Sequence, residues 1–146
     1  MSAERWFFDT NILVYLFDPQ APDKQAAARG LWRRACDEAI PILSTQVLQE
    51  FFVTVTRSAK QGLPLPEARR VVLDFAVIAE VMAITVPLIE RAIGRIKASG
   101  FSFWDSLIIE TALAAEARRL WTEDLQHGQV IETLQICNPF AVNQLD

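Results

Sequence analysis

The stretch Arg5-Trp6-Phe7-Phe8-Asp9-Thr10-Asn11-Ile12-Leu13-Val14-Tyr15 constrains this chain more than any other. An apolar, aromatic run stops abruptly at a carboxylate and two small polar residues, and a second apolar run follows. Such a run reads as a strand buried on both faces that feeds a turn and a helix. Strands of this kind belong to parallel sheets covered by helices, and in open α/β sheets ligands bind outside the carboxyl ends of the strands. Asp9 is thereby predicted to stand at the mouth of a site.

The rest of the chain alternates in the same way. A short helix is expected over Ile12–Phe17, ended by Asp18-Pro19, and an alanine- and arginine-rich helix over Asp23–Ala39. Pro41–Ser44 reads as a strand, with Ser44 or Thr45 as cap for a helix carrying Val47, Leu48, Phe51, Phe52 and Val55 at helical spacing. Gly62-Leu63-Pro64-Leu65-Pro66 ends that helix and opens another. Glu80–Thr85 is a third strand, and Pro87 opens a helix that Gly100 stops. Ser102 caps a long helix from Phe103 to about Arg118. Leu120–Thr122 and Leu134–Cys137 complete the strands. Alternation of this kind predicts one α/β domain over 1–146, a three-layer α/β/α sandwich with a central parallel sheet and right-handed crossovers.

Length and composition agree. A chain of 146 residues, 51% apolar and 22% charged, suits one sizeable core rather than disorder. No apolar run approaches the roughly 18 residues of a membrane span. With no basic and apolar leader and with Cys36 and Cys137 in no metal or redox spacing, a cytoplasmic protein with two reduced thiols is expected. A zinc site is disfavoured by two cysteines and the single His127. The net charge of −4 looks wrong for a nucleic-acid binder, yet it equals the charge of four carboxylates gathered in one place.

Four such carboxylates are expected at the strand ends. Asp9 follows the first strand, Glu50 lies in the second turn of the helix after strand two, Asp105 in the first turn after Ser102, and Asp124 just beyond strand four. Each also has a structural explanation. Asp9 and Asp124 suit turns, Glu50 a solvated helix face, and Asp105 a variant capping box. Together at one mouth they would repel, and some would hold protons unless cations neutralised them. Oxygen-only ligands select Mg²⁺ or Mn²⁺, and carboxylate-held ions of this kind serve phosphodiester cleavage.

The segments around these acids, Phe8-Asp9-Thr10-Asn11-Ile12-Leu13, Gln49-Glu50-Phe51, Trp104-Asp105-Ser106-Leu107-Ile108 and Thr122-Glu123-Asp124-Leu125-Gln126-His127-Gly128, resemble the four motifs of PIN-domain ribonucleases in order and spacing. The pattern is most similar to the VapC-type toxins of bacterial toxin–antitoxin pairs. The resemblance covers nearly the whole chain. It implies a Mg²⁺- or Mn²⁺-dependent endoribonuclease, a homodimer, and a small antitoxin whose tail enters the acidic groove. It further implies that Asp9, Glu50, Asp105 and Asp124 bind metal while Thr10, Asn11 and Thr122 orient them. A PIN fold that serves only to bind RNA or protein is the alternative.

Other residues are read more weakly. Arg57, Lys60, Arg69 and Arg70 flank the Gly62–Pro66 turn and either hold phosphates or are solvated. Arg91, Arg95 and Lys97 share that ambiguity. Glu110 falls on the other side of its helix, and Glu123 is expected to be a solvated turn residue. His127 is expected in a turn near the site, and Trp6, Trp32, Trp104 and Trp121 in the core. An aspartate-nucleophile phosphatase would need a second Asp where Asn11 stands, a phospho-receiver a late lysine, and a P-loop protein its glycine-rich lysine motif.

Overall fold

A computed structural model describes residues 3–57 and 60–141. The expected alternation is present: β1 (Arg5–Phe8), α1 (Thr10–Tyr15), α2 (Pro22–Glu38), β2 (Ile40–Ser44), α3 (Thr45–Arg57), α4 (Leu65–Ile78), β3 (Glu80–Met82), α5 (Val86–Ser99), α6 (Phe103–Ala114), β4 (Arg119–Trp121), β5 (Val130–Ile131) and β6 (Leu134–Cys137). The sheet runs β3-β2-β1-β4-β6-β5, with helices on both sides. Among the described residues no helix is long and apolar enough to cross a membrane.

The sheet is parallel from β3 through β6, as expected of its centre, and a short edge strand that the sequence did not announce, β5, pairs antiparallel to β6, which makes the sheet as a whole mixed. The pairing of Ile131 with Leu134 leaves Glu132-Thr133 as a two-residue turn. Glu132 takes a left-handed φ of 54°. Neither residue carries the Asn-Gly signal that marks such hairpins. An ion pair from Glu132 to Arg95 of α5, at 2.9 Å, ties the turn to the helical layer.

The core explains why β1 is central. Phe7 and Phe8 are wholly buried. From Phe8 a row of edge-on aromatic contacts runs through Trp32 of α2, Phe75 of α4 and Phe51 of α3 to Phe17 after α1. Each such pair adds about 1 kcal/mol beyond the area it buries. Segments far apart in sequence are thereby clamped over one face of the sheet.

Helix ends follow local chemistry where a cap residue is present. Ser44 Oγ accepts from the Val47 N–H, Ser102 Oγ accepts from the Asp105 N–H, and Gly100 closes α5 with φ 76°. The helix expected to reach Arg118 stops at Ala114 instead. There Glu116 turns left-handed, and the Ala117 N–H returns to the Ala112 carbonyl. That is the geometry a glycine usually supplies, and no glycine announces it.

α6 is buried on nearly all sides from Ser106 to Ala112, including Glu110. Glu110 points to Arg95 of α5 rather than to the strand ends, as its helical position implied. Glu110→Ala is expected to lower the unfolding free energy by about 2 kcal/mol, because Arg95 is left beneath the surface with only the exposed Glu132. The double variant Arg95→Met, Glu110→Leu should recover most of that loss. Urea denaturation checks both; a double variant as unstable as the single one would contradict the argument.

Candidate active site

The order of the sheet reverses between β1 and β4: β2 and β3 lie on one side of β1, and β4, β6 and β5 on the other. At such a switch point the chain leaves the two neighbouring strands in different directions, and a crevice opens beyond their carboxyl ends. Asp9 leaves β1 there and Thr122 leaves β4. The Asp9 N–H donates to the Trp121 carbonyl at 3.0 Å, and the Thr122 hydroxyl donates to Asp9 Oδ2 at 2.9 Å. The other carboxylate oxygen, Oδ1, caps α1 by accepting from the Thr10 N–H at 2.7 Å.

These bonds fix Asp9 in a place that disfavours its charge. It is buried, although it stands at the mouth of the sheet. Loss of hydration raises its carboxyl to a pKa of about 6 despite the bonds from Thr122 and Thr10, and the charges of Asp124 and Glu50 push it the same way.

Asp9, Glu50, Asp105 and Asp124 all line one cleft of about 500 Å³. Glu50, on α3, accepts from the Thr10 hydroxyl at 3.0 Å and faces the Gln46 amide one turn back at 3.4 Å. Asp124 accepts from Asn11 Nδ2 at 2.9 Å, and its N–H donates to the Thr122 hydroxyl at 3.1 Å. Asp105 projects from the first turn of α6. Thr10, Asn11 and Thr122 thus touch the acids that they were expected to orient. Among the described residues no three His, Cys, Asp or Glu side chains stand close enough to hold a metal ion as placed. The carboxylates share a cleft rather than one finished coordination shell.

Several readings from the sequence change here. Glu123 is not a solvated turn residue: it accepts from the Tyr15 hydroxyl at 2.6 Å and pairs with Lys24 at 2.9 Å. That pairing neutralises one further carboxylate at the cleft wall, and Asp18, also at the wall, is turned to its own loop, where it accepts from the Gln20 N–H at 3.0 Å. Trp104 is not core; it is 59% exposed and lines the cleft. His127 accepts the Asn138 N–H through Nδ1 at 2.8 Å and does not line the cleft. Of the four basic residues around the turn, Lys60 lines the cleft, whereas Arg57, Arg69 and Arg70 do not. Arg69 instead borders an apolar hollow formed by α3 and α4.

Gln46 was missed by the sequence reading. It is almost wholly buried at the cleft, and its Oε1 has no hydrogen-bond partner among the described residues; the same holds for Asn11 Oδ1. Its position four residues before Glu50 puts both on one helix face, which was the available signal.

A model of the PIN domain matches residues 6–131. Solved structures give the same fold. The toxin–antitoxin complex from Klebsiella pneumoniae is 18% identical with a TM-score of 0.68, covering 93% of this chain and 98% of that one. VapBC-1 from nontypeable Haemophilus influenzae is 18% identical with a TM-score of 0.64, covering 94% and 99%. VapC20 of Mycobacterium tuberculosis, a toxin that cleaves the sarcin–ricin loop, is 18% identical with a TM-score of 0.62, covering 79% and 86%. No curated protein matches the sequence. With the family model spanning most of its length, this chain belongs to the PIN-domain family.

Proposed function

We propose that this chain is a divalent-metal-dependent endoribonuclease, acting as the toxin of a toxin–antitoxin pair. The observation that carries this reading is the arrival of Asp9, Glu50, Asp105 and Asp124, from four separate segments, in one cleft at the switch point of a PIN fold. The toxin role is supported by similarity in fold to structures of toxin–antitoxin complexes.

The residues present fit a hard divalent cation. Every candidate donor is an oxygen, the buried Asp9 carboxyl is driven toward protonation by its surroundings, and the amide oxygens of Asn11 and Gln46 accept from none of the described residues. Asp9, Glu50, Asp105 and Asp124 would hold Mg²⁺ or Mn²⁺, which when bound lowers the cost of ionising the attacking water and offsets charge on the leaving oxygen.

The chain's own part is positioning. Thr122 and the Thr10 N–H hold Asp9 at the bottom of the cleft, Thr10 and Gln46 hold Glu50, and Asn11 holds Asp124. Lys24 and Tyr15 keep Glu123 engaged and out of that set. Lys60 at the rim offers charge to the backbone of a polyanion. A homodimer belongs to the same reading. Leu65, Leu73 and Val77 stand exposed on α4, where a second copy would cover them.

Purified protein is expected to cut RNA internally with Mg²⁺ or Mn²⁺ and to stop in EDTA. Asp9→Asn, Glu50→Ala, Asp105→Ala and Asp124→Ala should each lose cleavage by about a hundredfold or more while staying folded by circular dichroism. Cleavage that survives EDTA or persists in Asp9→Asn would defeat the reading, and binding without cleavage would favour the binding-module alternative.

The metal-free protein should also report Asp9 through its stability. The unfolded chain releases this proton near pH 3.8, and the folded protein only near pH 6. Stability is therefore fully present below pH 3.8 and falls as pH rises to about 6, by as much as about 3 kcal/mol. Asp9→Asn should be more stable than wild type at pH 8 without metal and similar to it at pH 4. Thermal melts across this range, with Mn²⁺ restoring wild type but not Asp9→Asn, are the check; parallel profiles for the two proteins would oppose it. Sedimentation at micromolar concentration should show a dimer.

A further inference from the structure

Four tryptophans have three different surroundings. Trp6 and Trp121 are in the core, edge-on to each other, and Trp32 belongs to the aromatic row beneath α2 and α4. Trp104 is 59% exposed. It precedes Asp105 in the first turn of α6 and lines the acidic cleft together with Ile108, four residues on and on the same helix face. Phe103 meets its ring edge-on, with centroids 5.1 Å apart, and so limits how the indole can turn. The cleft is thus acidic where the carboxylates gather and apolar beside Asp105.

We infer that Trp104 is the stacking platform for one unpaired nucleobase next to the bond that is cut. The inference rests on the ribonuclease reading and adds to it a residue that contacts a base. Carboxylates engaged with cations act on the phosphate and give a base no face on which to stack. A base flanking that phosphate must leave water or remain stacked on its neighbours. An exposed indole beside Asp105 offers a π-face at the distance of one residue from the acid. In a duplex both faces of each base are already stacked, so only an unpaired base gains by turning onto the tryptophan. Lys60 and Gln61, which line the same cleft from the α3–α4 turn, provide polar contacts for the strand as it passes. Stacking on an aromatic ring is tolerant of base identity, so Trp104 selects unpaired RNA rather than a sequence.

The test uses short fluorescein-labelled single-stranded RNAs, the same strands annealed to complements, and a set in which each position in turn is abasic. Wild type, Trp104→Phe and Trp104→Ala are compared by anisotropy, by KM and kcat for cleavage, and by sedimentation. Trp104→Ala should bind single strands about tenfold more weakly, with the loss in KM rather than kcat, and Trp104→Phe should recover most of it. One abasic position beside the cut should cost wild type about tenfold and cost Trp104→Ala almost nothing. Equal binding by Trp104→Ala and wild type, or equal sensitivity of both to the abasic position, overturns the inference alone. Conversion of a dimer to a monomer by Trp104→Ala, with binding per monomer unchanged, also overturns it and assigns the indole to a contact between copies. RNA that wild type binds through Trp104 but never cuts overturns the nuclease reading alone. RNA neither bound nor cut overturns both.

Discussion

The hydrogen bond from Thr122 to Asp9 is the point on which the site depends, because it joins the ends of the two strands that straddle the switch point. β1 and β4 pair in register, so Phe8 stands beside Trp121 and the next residue of each strand meets the other across the gap. Asp9 then caps α1 with its second oxygen. One side chain thus closes the sheet, starts a helix and presents a carboxyl to the cleft. No other acid of the four is embedded to this degree, and its proton affinity is raised as a direct consequence.

A chain that carries net charge −4 and is read as a ribonuclease must solve an electrostatic problem, since its substrate is also an anion. The structure handles this by sorting its carboxylates. Glu110 is committed to Arg95, Glu80 to Arg5, and Glu123 to Lys24 and Tyr15. Those pairs lie in different parts of the fold, and of the three acids Glu123 is the one that lines the cleft, so its pairing removes a charge there. Asp124 and Glu50 instead receive bonds from neutral partners, Asn11, Thr10 and Gln46, which orient a carboxylate without cancelling its charge. Uncancelled charge is what a divalent cation needs, and it is what repels RNA until one is present.

The cleft also has a division of chemistry between its elements. Asp9 follows the last residue of β1, where the sheet fixes its backbone, and Asp124 lies in the bend three residues beyond β4, held by the Thr122 hydroxyl and Asn11. Glu50 and Trp104 come from helices whose first turns are capped by Ser44 and Ser102, so their directions follow from two single hydroxyl groups. An acid and an aromatic adjacent in sequence, Trp104 and Asp105, therefore enter the same space with opposite preferences for water.

Much of this was legible in the residues themselves. The abrupt end of an apolar run at Asp9, the cap at Ser102 three residues before Asp105, and the strand before Asp124 are local signals, and they placed those three acids at or just past strand or helix ends. The stop at Gly100 was legible for the same reason, because only glycine takes that backbone conformation without strain. What tertiary structure alone decided is whatever depends on a partner remote in sequence. Glu123 is engaged because α2 brings Lys24 to it, and Asp9 is buried because β4 lies alongside β1. α6 ends at Ala114, and β5 turns back antiparallel, through left-handed residues that are glutamates rather than glycines. Trp104 reads like its three core counterparts in sequence, and only the packing of α6 against α5 and the sheet leaves it facing the cleft. Periodicity reports which residues prefer to be out of water; the number of neighbours available to cover them is a property of the finished fold.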